Sequence, residues 1–124
     1  MGFTEEDRLE NIRRTAEVSK LLLNNNFVVI CSLITPTENL RDIARNVLGN
    51  HFKLIHISTS LDVCKERDVK GLYKKAIKGD IPHFTGISAP FDMPKSADLT
   101  IDTYNQTEAQ SVEVLYAFLR NLTK

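Results

Sequence analysis

Apolar residues recur along this chain in two rhythms. Between residues 4 and 25, Leu9, Ile12, Ala16 and Leu23 return at helical spacing. Thr4, followed three residues later by Asp7, has the form of a capping box. The pattern therefore predicts a helix that ends at the Asn24-Asn25-Asn26 run. Phe27 to Ile34 is continuous and rich in β-branched residues, which predicts a strand covered on both faces, as in a parallel sheet. A second helix is predicted over 37–48, with Thr37 as its cap, Leu40, Ile43, Ala44 and Val47 as its stripe, and Gly49 just past its end. Leu54 to Ile57 reads as the next strand, and Ser60 caps a short helix through Arg67. Leu99 to Asp102 reads as a further strand. Residues 107–122 form a closing helix with Val112, Leu115, Leu119 and Leu122 inward.

Helix and strand alternate, so the class is parallel α/β, in one domain spanning 1–124. The stretch 68–97 stands apart. It has little periodicity, holds Gly71, Gly79, Gly86, Pro82, Pro90 and Pro94, and is long for a plain connection. Loops of that size are usually lids or binding loops, so function is sought there first.

Composition narrows the classes. Sixteen Lys and Arg balance sixteen Asp and Glu, which leaves no excess cationic charge for nonspecific nucleic-acid or membrane-surface binding. The longest apolar run falls well short of the roughly 20 residues that cross a bilayer, and the N-terminus is polar and acidic; a cytoplasmic location is expected. Cys31 and Cys64 form no CxxC and read as small buried side chains in a reducing compartment.

Several residues are candidates for chemistry. Arg8 and Asn11 lie three apart near the start of the first helix, where they form either an anion clamp or a solvated polar face. Lys65 to Asp80 carries Lys65, Arg67, Lys70, Lys74, Lys75 and Lys78, which read as a basic lid over a polyanion or as an exposed lysine-rich helix. Phe3 and Phe84 lie in polar or Gly-rich surroundings, where a ring could stack on a base or make a satellite core contact. His51, His56 and His83 show no metal-ligand spacing, so no metal site of protein ligands is expected.

Gly2-Phe-Thr-Glu-Glu-Asp-Arg-Leu-Glu-Asn-Ile-Arg-Arg14 resembles the GFSxEDRxENIRR segment of the adenylylsulfate (APS) kinase family. Phe27 to Pro36 resembles the family's strand and Ile-Ser-Pro turn, Arg67 to Ala76 its lid, and Phe84 to Phe91 its substrate loop. The resemblance implies transfer of the γ-phosphate of ATP to the 3′-hydroxyl of APS, giving PAPS, with Mg²⁺ as the metal. It implies that Phe3 and Phe84 sandwich the APS adenine, that Arg8 and Asn11 hold its phosphosulfate and ribose region, that Ile34 borders the pocket, and that Lys70 reaches the APS side. Arg67 and Gln106 are weaker candidates for the ATP base. Thr35 stands where the family has Ser, and no catalytic residue is assigned.

No two glycines lie five apart, so the G-x-x-x-x-G-K-[ST] loop that cradles ATP phosphates is absent from these residues, and no motif here binds ATP or Mg²⁺. The resemblance then implies a three-layer parallel sheet of the P-loop kinase type in incomplete form, the C-terminal two-thirds of the domain. In the family's strand order the phosphate-loop strand separates the strands read here at 27–34 and 54–57. With it absent, either those two pair directly, or a second copy or a complementing chain fills the space. The alternative function is a noncatalytic module that binds adenylyl nucleotides or a partner chain.

Overall fold

A computed structural model describes residues 2–123. The first helix, α1 (Glu5–Leu23), begins as its sequence dictates: the Thr4 hydroxyl accepts from the Asp7 amide at 3.1 Å, and the Asp7 carboxylate accepts the Thr4 amide and hydroxyl in return. These bonds satisfy donors that a helix start leaves free, and they hold the Asp7 carboxyl below the usual carboxylate range. Helix α2 (Glu38–Leu48) is capped by the Thr37 hydroxyl and stopped by Gly49, whose φ of 58° suits glycine. A single 3₁₀ turn, Gly49–His51, follows.

The two helices pack on each other, and the core sits between them: Ile12, Leu40 and Ala44 are buried, with Leu9, Ile43 and Phe52 packed around them. Each buried Ile or Leu contributes about 1.5–3 kcal/mol. Ser19 is also buried in α1, its hydroxyl bonded back to the Thr15 carbonyl.

Strands β1 (Ile55–Ser58) and β2 (Leu99–Asp102) form a two-stranded parallel sheet in the register Ile55 to Leu99. Asp98 sets that register, because its carboxylate accepts the Leu54 amide at 2.7 Å while its own amide donates to the Leu54 carbonyl. Between the strands lie α3 (Leu61–Arg67), capped by Ser60, and α4 (Leu72–Ile77). The chain closes with α5 (Glu108–Leu122), which has a capping box between Thr107 and Gln110 and packs on β2.

Three expectations need correction. Phe27–Ile34 is not a strand, and it does not pair with β1: among the described residues, Val28 to Ile34 make no backbone hydrogen bonds. Its apolar composition reports a need for burial, but a strand also needs a neighbour to satisfy its N–H and C=O groups, and none is present. Phe27, Val28, Ile30 and Ile34 are consequently exposed. The closing helix is not seated inward as expected either: Val112 and Leu122 are exposed, Leu115 and Leu119 are half-buried, and no residue of α5 is fully buried. Cys31 is exposed and Cys64 half-buried, not enclosed as small core side chains.

Candidate functional site

The site candidates gather where α1 begins and the loop after α4 returns. Arg8 is the junction. Its Nε donates to the Phe3 carbonyl at 3.0 Å, one terminal nitrogen to the Thr85 hydroxyl at 2.8 Å, and the other to the His83 carbonyl at 2.5 Å. A guanidinium has five N–H donors in a rigid fork, so about two remain for a ligand once these three are used. Arg8 is thus both a builder of the loop and a cation at its mouth.

The loop it holds is tightly organised. The Phe84 carbonyl accepts from the amides of Ile87, Ser88 and Ala89, and the Phe84 amide donates to the Ser88 hydroxyl at 2.8 Å. Gly86 turns the chain at φ 84°, and a Cβ there would lie 3.1 Å from the Leu61 side chain, so both conformation and space ask for glycine. His83 also sits at positive φ, 55°, a conformation uncommon for a residue with a Cβ. Its carbonyl is the one delivered to Arg8.

Phe84 is half-buried and meets Tyr73 of α4 edge to face, with ring centroids 5.0 Å apart. The loop around Phe84 is therefore tied to the basic segment as well as to α1. Tyr73 itself has its phenol pushed up, chiefly by burial and then by the neighbouring Cys64. Phe3 is 68% exposed, with its backbone fixed by Arg8 and its ring in the open.

Among the described residues, the other candidates make no hydrogen bond to the residues of this junction. Asn11 is exposed on α1, one turn past Arg8. Ile34 is exposed in the unpaired segment, and the Thr35 carbonyl beyond it accepts from Arg41. Lys70 is exposed in the turn before α4. Arg67 donates to the Thr103 carbonyl at 3.0 Å, which brings it to the loop after β2 where Gln106 accepts from Ser111. Arg67 and Gln106 thus share one neighbourhood, separate from the Arg8 junction by their hydrogen-bond partners.

Two structural organisers were not singled out from sequence. Arg41, 1% exposed, donates to the Thr35 carbonyl, the Glu38 carboxylate at 2.6 Å and the Asp92 carbonyl at 2.6 Å, and lies over the Phe91 ring. It joins the turn before α2 to the segment at Phe91 and Asp92. Glu38 is held below the usual carboxylate range, first by Arg41, and it also accepts the Lys95 amide. The second organiser is Asp68, whose carboxylate accepts the amides of Tyr73 and Lys74 and so caps α4 from outside the helix. The Glu38–Arg41 spacing of three on one helix was the available signal for the first. The second needed the turn at Gly71, whose φ is 67°.

The chain is an α/β protein in which an arginine pins a Gly-turned loop to the start of a helix, beside a short basic helix. Residues 1–102 match the family described as adenylylsulphate kinase, and the chain belongs to it. An adenylyl-sulfate kinase of Bacteroides thetaiotaomicron is 48% identical over 93% of this chain and 58% of its own length. One from Paraburkholderia xenovorans is 45% identical over 96% of this chain and 66% of its own. The solved structure of the Mycobacterium tuberculosis APS kinase in complex with AMPPNP and APS superposes with a TM-score of 0.84 at 38% identity, over 93% of this chain and 68% of that one. The chain thus spans a little under three-fifths of the first of these relatives.

Proposed function

We propose that this chain forms the APS-binding and lid portion of an adenylylsulfate kinase, which transfers a phosphoryl group from ATP to the 3′-hydroxyl of APS and yields PAPS. In this reading the two-stranded sheet is the remaining part of a three-layer sheet of the P-loop kinase type. A second copy or a complementing chain supplies what the sheet lacks. The observation that carries the reading is the Arg8 junction, where one guanidinium gathers Phe3, His83 and Thr85 and keeps donors free for an anion.

Each residue has a stated part. Phe3 and Phe84 offer ring faces to the adenine, since aromatic stacking on a base is worth about 1–3 kcal/mol. Arg8 and Asn11 take the phosphosulfate and ribose, Ile34 closes the apolar border, and Lys70 adds a cation from the turn before α4. Arg67 and Gln106 serve the ATP base. In phosphoryl transfer the protein mainly positions groups and stabilises charge, and these residues do so for the accepting nucleotide.

ATP phosphates and Mg²⁺ are a different matter. Among the described residues no group of three His, Cys, Asp or Glu side chains converges to hold a metal, and the sequence contains no phosphate-cradling loop. Mg²⁺ is commonly held by one or two carboxylates together with the substrate phosphates, and no step is assigned to it here. No helix of the described residues is long and apolar enough to cross a membrane.

Calorimetric titration of the purified chain with APS tests the reading. Saturable binding that weakens in Phe84→Ala supports it, while absence of binding, or binding that Phe84→Ala leaves unchanged, overturns it. ATP-dependent PAPS formation by these residues alone is not expected.

A further inference from the structure

The loop that carries Phe84 is fastened at its two ends to two different helices. At one end Arg8 of α1 donates to the His83 carbonyl and, at 2.8 Å, to the Thr85 hydroxyl. At the other end Arg41 of α2, 1% exposed, donates to the Asp92 carbonyl at 2.6 Å and lies over the Phe91 ring. The two helices pack on each other through Ile12, Leu40 and Ala44, so both fastenings rest on one core.

Asp92 is held at each of its polar groups. Its amide donates to the Pro36 carbonyl at 2.6 Å, its carboxylate accepts the Glu38 amide at 3.2 Å, and its carbonyl takes the Arg41 N–H. The same guanidinium donates to the Thr35 carbonyl at 2.9 Å and to the Glu38 carboxylate at 2.6 Å. Arg41 therefore grips the residue next to Ile34 and the end of the Phe84 loop at once. Only Pro90 and Phe91 separate Asp92 from Ala89, whose amide donates to the Phe84 carbonyl. A shift of Asp92 is passed to the Phe84 turn through that short stretch, which Pro90 stiffens.

Stability is a weak reason for burying such a group, because taking a guanidinium out of water is costly and well-packed apolar residues often serve as well as a buried ion pair. What a guanidinium supplies is geometry. Its planar fork holds the acceptors it touches at fixed separations, which neither an apolar side chain nor an ammonium does.

We propose that Arg41 is a positioning residue for the nucleotide site: it places the Phe84 loop against the Ile34 border and so sets the opening that admits the APS adenine. This rests on the APS-binding reading of the chain. Arg41 acts through Phe84 and Ile34, without contact to the nucleotide.

A double-mutant cycle in calorimetric APS titration tests this, with urea denaturation alongside to establish that each variant is folded. Arg41→Lys keeps a charge beside Glu38 but replaces the fork by one ammonium, and should weaken APS binding by about tenfold. In a chain already carrying Phe84→Ala the same substitution should cost less than about twofold, because the ring it positions is gone. Ala44→Gly loosens the α1–α2 core without touching the loop, so it should lower the urea midpoint and leave APS affinity within about twofold. Amide exchange at Ile87, Ser88 and Ala89 should quicken in Arg41→Lys and not in Ala44→Gly.

Should Arg41→Lys fail to fold, Asp92→Ala takes its place with the same expectations, since it frees the same end of the loop with Arg41 intact. Full-strength APS binding by the Arg41 variant, an equal loss in Ala44→Gly, an equal loss with and without Phe84, or unchanged exchange at Ile87 to Ala89 overturns the proposal. Absence of APS binding by the native chain overturns the nucleotide reading instead. The exchange measurement needs no nucleotide, and it decides by itself whether Arg41 places the loop.

Discussion

The Arg8 guanidinium donates to the Thr85 hydroxyl at 2.8 Å, joining the first turn of the first helix to a loop 77 residues away. The same group holds the His83 carbonyl. Replacing Arg8 by Ala should therefore weaken APS binding by about tenfold or more and speed amide exchange in residues 84–89. Arg8→Lys should not restore binding, because a point charge cannot span three acceptors. Titration of both variants checks this, and full recovery with lysine would show that charge alone matters.

Arg41 is buried and donates to three acceptors on two segments. Arg41→Met keeps much of the volume but leaves the Thr35 and Asp92 carbonyls without their donor. The expected loss is about 2–3 kcal/mol of stability, read by urea denaturation, with faster exchange around Asp92.

Asp68→Ala removes the acceptors for the Tyr73 and Lys74 amides. A lost helix cap costs about 1 kcal/mol, and in a helix as short as α4 that is enough to fray it. Exchange at Tyr73 and Lys74 should quicken, with little change in the α1–α2 core. Asp68→Asn should retain most of the protection.

Acidification should act through Glu10 and Glu38. The Arg13 and then Arg14 side chains hold the Glu10 carboxyl well below its ordinary 4.5, at about 2, and Arg41 lowers Glu38. Depressed carboxylate pKa values contribute stability that is complete above the unfolded value and lost as pH falls through the folded one. For Glu10 the loss falls between pH 4.5 and about 2. Glu10 is a half-exposed surface group, so its share is small and salt-sensitive, whereas Glu38→Gln should flatten the acid side of the stability curve more clearly. Melting temperatures across this range, for the native chain and Glu38→Gln, check the sign.

Much of the fold was legible because its signals are local. Thr4, Thr37 and Ser60 each announced a helix start, since a capping hydroxyl needs only the amide three residues on. Leu99–Asp102 was read with its observed bounds. The family motifs around Arg8 and Phe84 were equally plain, although Arg8 was read as an anion clamp and the structure also makes it a fastening for the loop. Asp68 and Arg41 went unread, because their partners are fixed by a turn and by a segment about fifty residues distant.

The sequence by itself determined four of the five helices, α1, α2, α3 and α5, the two paired strands and membership of a kinase family, because periodicity, caps and contiguous motifs are properties of neighbours along the chain. Only the tertiary structure decided the fate of Phe27–Ile34. Its residues have the composition of a buried strand, yet a strand exists only where another backbone lies alongside to accept its hydrogen bonds. The same apolar run that predicted a core strand is instead the wall of an open groove, with its amides unpaired.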